Sequence, residues 1–336
     1  MKKFITQTIL FLFLFTVSYS AKQNENFTIK HIFDMGSSSI KVGSVKIDNI
    51  NKTTSLLSEK VISANFQTCI NESKNKDFLS QKCILENIDA IDLLLKNNDI
   101  DCSKAECKGI ATAWARKALN INDFLILLNK KGIKIDIISQ EEEGLYAYYS
   151  TINNLNNVDK NKIVGVLDVG GGSFQLSLSK DSNSKPTIYG DHYGVFNFKE
   201  AVDNLINHNH SSDYYSDFEI NKIYKTANTL TSKAFKDAPK GPNNLEVVAI
   251  GLFFNECMVK EFKTTNVVNA TDIRNIVTQF ALMTTKEAEV KYPNINKNII
   301  KKCQIALILI HSIMDNLNID SIKIHNTDLY SYIAAQ

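Results

Sequence analysis

Two short segments carry the clearest chemistry: Asp34-Met-Gly-Ser-Ser-Ser39 and Asp168-Val-Gly-Gly-Gly-Ser173. Each follows an apolar run, ends it on an aspartate and turns through glycine and serine. Small residues let the backbone approach an anion closely and present consecutive N–H groups to it. Serine hydroxyls add donors. An aspartate cannot face a phosphate comfortably, but it can hold Mg2+ or its water shell, which in turn meets the phosphate oxygens. One glycine-rich turn is ordinary in a hairpin. Two aspartate-led copies, at the starts of two halves of one chain, point to a phosphate site. No helix follows either set of glycines, so neither is a Walker loop or a dinucleotide fingerprint. Gly36, Ser37, Ser38, Ser39, Gly170, Gly171, Gly172 and Ser173 are the candidate phosphate ligands, and Asp34 and Asp168 the candidate metal ligands.

Between the turns stands Gln140-Glu-Glu-Glu-Gly144. Ser139 and Glu142 have capping-box spacing, so Glu142 has a structural task, and acids suit a first helical turn for dipole reasons alone. Glu143 is the best candidate for chemistry in this segment. Gly144 after it is a poor helix residue and hints at close approach by another group. Arg116 sits where a strand meets a helix, as a surface arginine or as an anion ligand. Lys41 lies just past the first turn and can reach the same anion.

The elements that must hold these residues read as alternating strands and helices. Strands are expected at Phe27–Phe33, Ile40–Ile47, Ser55–Ser63, Lys108–Ala113 and Ile135–Ile138. Helices are expected at Ile84–Leu95, from Asn122 to Lys130, and from Ser139 to Thr151. A polar stretch, Asn153–Lys162, reads as a linker. The second half repeats the theme with strands at Ile163–Leu167, Phe174–Leu178, Leu245–Ile250 and Ile322–Ile324, and helices at Ala270–Leu282 and Ile299–Leu317. The division is thus a leader over 1–20, one unit over 27–152 and a second over 162–336, with a cleft between two similar units. His208–Asp217 reads as a loop; His208 and His210 there are either metal ligands or part of a plain solvated surface.

With 336 residues and 44% hydrophobic content the chain can build two cores. A net charge of +2 leaves no footprint for a nucleic-acid duplex or a polybasic membrane patch. Lys2 and Lys3, the apolar run Ile9–Val17 and the small residues ending at Ser20 form a signal-peptide pattern. Its apolar core is too short to span a membrane, and an uncleaved amphipathic anchor is the alternative. A secreted or periplasmic protein is expected. In that setting the six cysteines favour disulfides. Fifteen pairings are possible; Cys69–Cys83, Cys102–Cys107 and Cys257–Cys303 is the expected set, since the first two close short loops. A homodimer is compatible with the sequence, which contains nothing that specifies one.

Together these residues resemble the exopolyphosphatase/guanosine pentaphosphatase (Ppx/GppA) family of the actin-like ATPase superfamily. The resemblance covers nearly the whole mature chain. It rests on the first turn, on Ala111-Thr-Ala-Trp-Ala-Arg-Lys-Ala-Leu-Asn120, on Ile138-Ser-Gln-Glu-Glu142 with Glu143, on the second turn, and on Asn269–Ile273 and Ile299–Ile324. It implies an α/β fold of two ribonuclease-H-like domains with a phosphate-binding cleft between them. It further implies Mg2+ or another divalent cation, Glu143 as general base, Asp34, Ser37, Ser39, Asp168, Gly170 and Ser173 as metal and phosphate residues, and Lys41 and Arg116 as the cations. The implied substrate is polyphosphate or a nucleotide polyphosphate.

The chain departs from that pattern at Ser38, where Asn is usual, at Gly144, where Ala is usual, and at Gln175, where Glu is usual. Gly251-Leu-Phe-Phe-Asn255 replaces a glycine-threonine loop, and Asn326-Thr-Asp328 a glycine-rich turn. Asp34–Ser38, Glu142–Tyr146 and Gly170–Gln175 are also similar to apyrases, the secreted nucleoside tri- and diphosphatases. A non-catalytic phosphate or nucleotide sensor on the same fold is the third reading.

Overall fold

The computed structural model describes residues 26–336 apart from 74, 76, 154, 156–162, 181–183, 207–213, 242–244, 260–265, 326 and 328. The leader, His208 and His210, most of the expected linker and two residues of the 326–328 turn lie outside the described residues.

Two mixed sheets organise the chain. The first is built from β1 (Phe27–Met35), β2 (Ser39–Asp48), β3 (Thr53–Ser63), β4 (Glu106–Ala111) and β5 (Ile133–Ile137), in the order β3-β2-β1-β4-β5. The second contains β6 (Ile163–Val169), β7 (Phe174–Ser179), β8 (Thr187–Asp191), β9 (Leu245–Ile250), β10 (Val267–Asn269) and β11 (Ser321–Ile324), in the order β10-β11-β9-β6-β7-β8. Leaving aside the edge strand β10, the two orders are the same. In each sheet three strands form an antiparallel meander and the first of them pairs in parallel with a later strand. This repeated topology puts both glycine–serine turns at hairpin tips, β1–β2 and β6–β7.

Helices cover the sheets. α1 (Phe66–Glu72), α2 (Gln81–Asn97), α3 (Ala113–Lys117) and α4 (Ile121–Lys130) pack on the first core, where Phe66 stacks on Trp114 at 3.7 Å. α5 (Gln140–Ile152) follows, with the expected Ser139–Glu142 capping box in place. In the second half α6 (Val195–Ile206), α7 (Asp217–Ala234) and the helix Ile300–Leu317 pack together. The segment Ile305–Ile310 is fully buried, as the apolar composition of that helix demands.

Three elements differ from the expectation. α6 and α7 flank the expected loop and were not themselves expected, and Leu252–Phe254 begins a short helical turn that continues into a π-helix at Asn255–Val259. The sequence division also assigned everything from 162 to 336 to the second unit. The last helix, Leu329–Ala335, instead packs on the first sheet, with Tyr330, Ile333 and Ala334 against Ile32, Val45 and Ile110. Gly43 makes room for it, because a Cβ there would stand 2.3 Å from Tyr330 Cγ.

All six cysteines pair in the expected set: Cys69–Cys83, Cys102–Cys107 and Cys257–Cys303. The last spans 46 residues and ties the π-helix to the buried helix. Closing a loop of that length restricts the unfolded chain by about 3–4 kcal/mol. The double substitution Cys257→Ser/Cys303→Ser is expected to lower unfolding free energy by that amount in denaturant titration. A midpoint equal to wild type would contradict it.

Candidate active site

The two hairpins are built alike to the level of single hydrogen bonds. In the first turn Gly36 N donates to Ser39 O at 2.9 Å; in the second Gly170 N donates to Ser173 O at 2.9 Å. Neighbouring elements then pin the turn carbonyls. Ser37 O and Ser38 O accept from Gln67 N and Ala64 N. Gly170 O and Gly171 O accept from Val195 N and Phe196 N at the start of α6, and Gly172 O from the Asn197 side chain. Buried backbone groups need such partners, and here the partners also fix the loop shape.

The tips of the two turns meet. A Cβ on Gly172 would lie 2.7 Å from Ser37 Oγ and 2.6 Å from Ala113 Cβ. Ser37 and Ser173 are almost wholly buried. The candidate phosphate ligands Gly36, Ser37, Ser38, Ser39, Gly170, Gly171, Gly172 and Ser173 therefore form one junction between the halves. The aspartates that lead into them, Asp34 and Asp168, open on a cavity of about 620 Å3 beside it.

Glu143 and Lys41 line the same cavity. Lys41 stands opposite Asp34 in the β1–β2 register, with its ammonium 3.5 Å from Asp34 Oδ2. Arg116 reaches the cavity through Glu143. One guanidinium nitrogen donates to Glu143 Oε2 at 2.9 Å and the other to Ile138 O at 2.9 Å. α3 holds the arginine there, and its Trp114 is anchored by an indole N–H donated to Met35 O at 2.7 Å. Ser173 stands beside Glu143 and favours its charged form, and Ser173 Oγ accepts from Gln175 Nε2 at 2.9 Å.

Glu143 is in the cavity because α5 docks on the second sheet. Gln140 donates to Phe174 O and Asp191 O, and the Ser177 hydroxyl donates to Gly144 O at 2.8 Å. A Cβ on Gly144 would stand 2.8 Å from Ile188 Cγ2 and 3.0 Å from Ser177 Oγ. The close approach expected at this glycine is that of β7 and β8.

The sequence reading missed several groups that line the cavity. Among them are Glu59, Glu256, Tyr146 and Tyr330. Gly251 has a role that its altered loop concealed. Its φ is +108°, and a Cβ there would lie 2.9 Å from Asp168 Oδ1, so only glycine lets the strand end come this close to that carboxylate.

Comparison with known proteins gives this arrangement its lineage. The Ppx/GppA phosphatase family model matches residues 45–329. The chain belongs to the Ppx/GppA phosphatase family. Its fold is that of a crystallised Aquifex aeolicus member, at 19% identity and a TM-score of 0.72, over 92% of this chain and 97% of that one. An exopolyphosphatase from Cytophaga hutchinsonii is similar at 12% identity and a TM-score of 0.70, over 91% and 96%. No curated protein sequence matches the chain. The actin-like two-domain fold and the enzyme class expected from the motifs, a phosphoanhydride hydrolase, follow from this membership.

The Ppx/GppA cavity of this chain is short of positive charge. Burial raises the Glu143 carboxyl above its ordinary value, and the Arg116 guanidinium works against that rise. Burial and the nearby Glu143 push Asp168 up to about 7, against the pull of Lys41. For Lys41, burial is outweighed by Asp34, Asp168 and Glu59, which hold the ammonium charged.

The unfolded Asp168 carboxyl loses its proton near pH 4, the folded one near 7. Folding therefore binds a proton across that window, and this group destabilises the metal-free protein as pH rises through it. Because Asp168 keeps partial contact with cleft water, the effect is about 1–2 kcal/mol. Asp168→Asn removes it. In metal-free thermal melts the variant's advantage over wild type is expected to widen from pH 5 to pH 8; a pH-independent gap would contradict this.

Proposed function

We propose that this chain hydrolyses the terminal phosphoanhydride of polyphosphate or of a nucleotide polyphosphate with the help of a divalent cation, and that it acts after export. The supporting observation is the placement of Glu143. It is a half-buried carboxylate held by Arg116 and set beside Ser173, facing the cavity onto which Asp34 and Asp168 open. A pure binder of phosphate has no need of such a base, which disfavours the sensor reading.

The residues fit Mg2+ of one kind. Among the described residues no three His, Cys, Asp or Glu groups converge as a protein cage. Two hairpin carboxylates beside an open cavity, one of them pushed up to about 7 by burial and by the nearby Glu143, suit a cation that keeps most of its waters and takes one or two carboxylates plus phosphate oxygens. Asp34 and Asp168 would hold it, and Mg2+ there supplies charge neutralisation for the phosphate oxygens.

The remaining chemistry belongs to the side chains. The turn backbones and Ser37 and Ser173 orient the phosphates, and Lys41 offsets their charge. Glu143 aligns a water with the terminal phosphorus and accepts its proton as the P–O bond to the leaving phosphate breaks. Its raised pKa makes it a better proton acceptor than a solvated carboxylate, while Arg116 opposes that rise and fixes its direction. The leader over residues 1–20 and three disulfides support an oxidising destination. Retention of Met1 on the protein recovered from its cells would count against export.

Phosphate release with Mg2+ tests the reading. Glu143→Gln keeps the shape and hydrogen-bonding reach but cannot take the proton, so a loss of about 10²–10⁴ in kcat is expected. Near-full activity on every phosphoanhydride would show that Glu143 is not the base.

A further inference from the structure

The cavity beside the two aspartates has one apolar side, and the β2–β3 pairing explains how it arises. Val61 lies opposite Lys41 and Glu59 opposite Gly43; the register then slips, so that Leu56 faces Val45 and Leu57 is the extra residue. Cross-strand partners share a face. The bulge therefore brings Leu56 onto the same side as Glu59 and Val61, the side on which Lys41 stands. Bulges commonly re-aim a side chain in this way.

That face looks into the cavity: Leu56, Glu59, Val61, Leu329 and Tyr330 all line it. Leu56 is 37% and Val61 56% exposed, unusual for apolar side chains beside a charged site. Tyr330 forms the floor. Its ring rests on Gly43, and its hydroxyl donates to Glu59 Oε1 at 2.6 Å. The polar lining is acidic. Asp34, Glu59, Glu143, Asp168 and Glu256 border the cavity, with Lys41 and His325 as the basic side chains among the described residues that line it. A long inorganic polyphosphate carries about one charge per phosphate along its whole length, and leaving the turns through this cavity it would meet Glu59 and Glu256, with no basic track beside them among the described residues. A substrate whose charge ends after two or three phosphates, and whose other end is uncharged with a planar face that can pack on apolar side chains, meets the apolar side instead. A volume of about 620 Å3 accommodates it.

We propose that Leu56, Val61 and Tyr330 form the seat for the nucleoside end of a nucleoside di- or triphosphate, and that they determine substrate choice against inorganic polyphosphate. This rests on the hydrolase reading above. It narrows that reading to the nucleotide class and places the specificity on the bulged edge strand and the returning C-terminal helix.

The test measures phosphate release by the full, oxidised chain with Mg2+ from ATP, ADP, inorganic tripolyphosphate and long polyphosphate, beside Leu56→Asn. Leu56 is exposed at a sheet edge, so the variant folds, which a thermal melt checks. The expected result is a wild-type kcat/KM for ATP about tenfold or more above that for tripolyphosphate, the scale of one buried apolar contact. Leu56→Asn raises KM for ATP by about the same factor, with kcat and the tripolyphosphate kinetics unchanged. Tripolyphosphate or long polyphosphate used as well as ATP, or a variant that weakens all substrates equally, overturns the seat. If wild type releases phosphate from nothing, the hydrolase reading fails by itself and calorimetry decides the seat. Mg·ADP binding about tenfold tighter than Mg·tripolyphosphate, with Leu56→Asn abolishing the difference, supports it. Equal binding overturns it.

Discussion

Helix α5 comes from the first half of the chain but rests on the sheet of the second, and it can do so because residue 144 has no side chain. Ser177 and Ile188 occupy the space a Cβ would need, and the Ser177 hydroxyl closes on the Gly144 carbonyl. That glycine gives up roughly 1 kcal/mol of helix propensity relative to alanine. In return the start of α5 is held between the two sheets, and the next residue back, Glu143, is directed at the junction of the hairpins. Arg116 meets it from the first core, while Ser173 meets it from the second. A carboxylate supported from both halves keeps its geometry only while the halves stay together.

The hairpin tips add to that union. They carry the same internal hydrogen bond, their carbonyls are held by the elements that follow, and Gly172 lies against Ser37 and Ala113. One difference between the copies bears on the electrostatic asymmetry of the site, beside the burial of Asp168. The residue opposite Asp34 is Lys41, whereas the residue opposite Asp168 is Gln175. Asp34 thus has a cation across its own hairpin. Asp168 has none there, and its carboxyl titrates near neutrality. Gln175 instead reaches Ser173, so in the second hairpin that position fixes the hydroxyl that stands beside Glu143.

Much of this was legible in the sequence because the relevant signals are local. Apolar runs ending on Asp34 and Asp168 marked the hairpins, and Ser139–Glu142 marked the start of α5. Capping boxes at Ser216–Glu219 and Thr284–Glu287 were equally local and could have revealed α7 and the helix Thr285–Lys291. What stayed hidden depends on contacts between distant segments. The return of Leu329–Ala335 to the first sheet turns on Gly43 accepting Tyr330, 287 positions later. The bulge that redirects Leu56 is a matter of register with β2, which composition does not encode. The purpose of Gly251 is visible only once Asp168 stands beside it.

The central claim is that docking of α5 through Gly144 places Glu143 for attack on the phosphoanhydride. Its most direct test is the kcat of Gly144→Leu with Mg2+ and ATP or tripolyphosphate, measured on protein whose disulfides and circular dichroism match wild type. A displacement of Glu143 on the order of 1 Å is expected to lower kcat by about a hundredfold. Wild-type kcat in that variant would contradict the account, because the base would then be positioned without the contact on which the site is argued to depend.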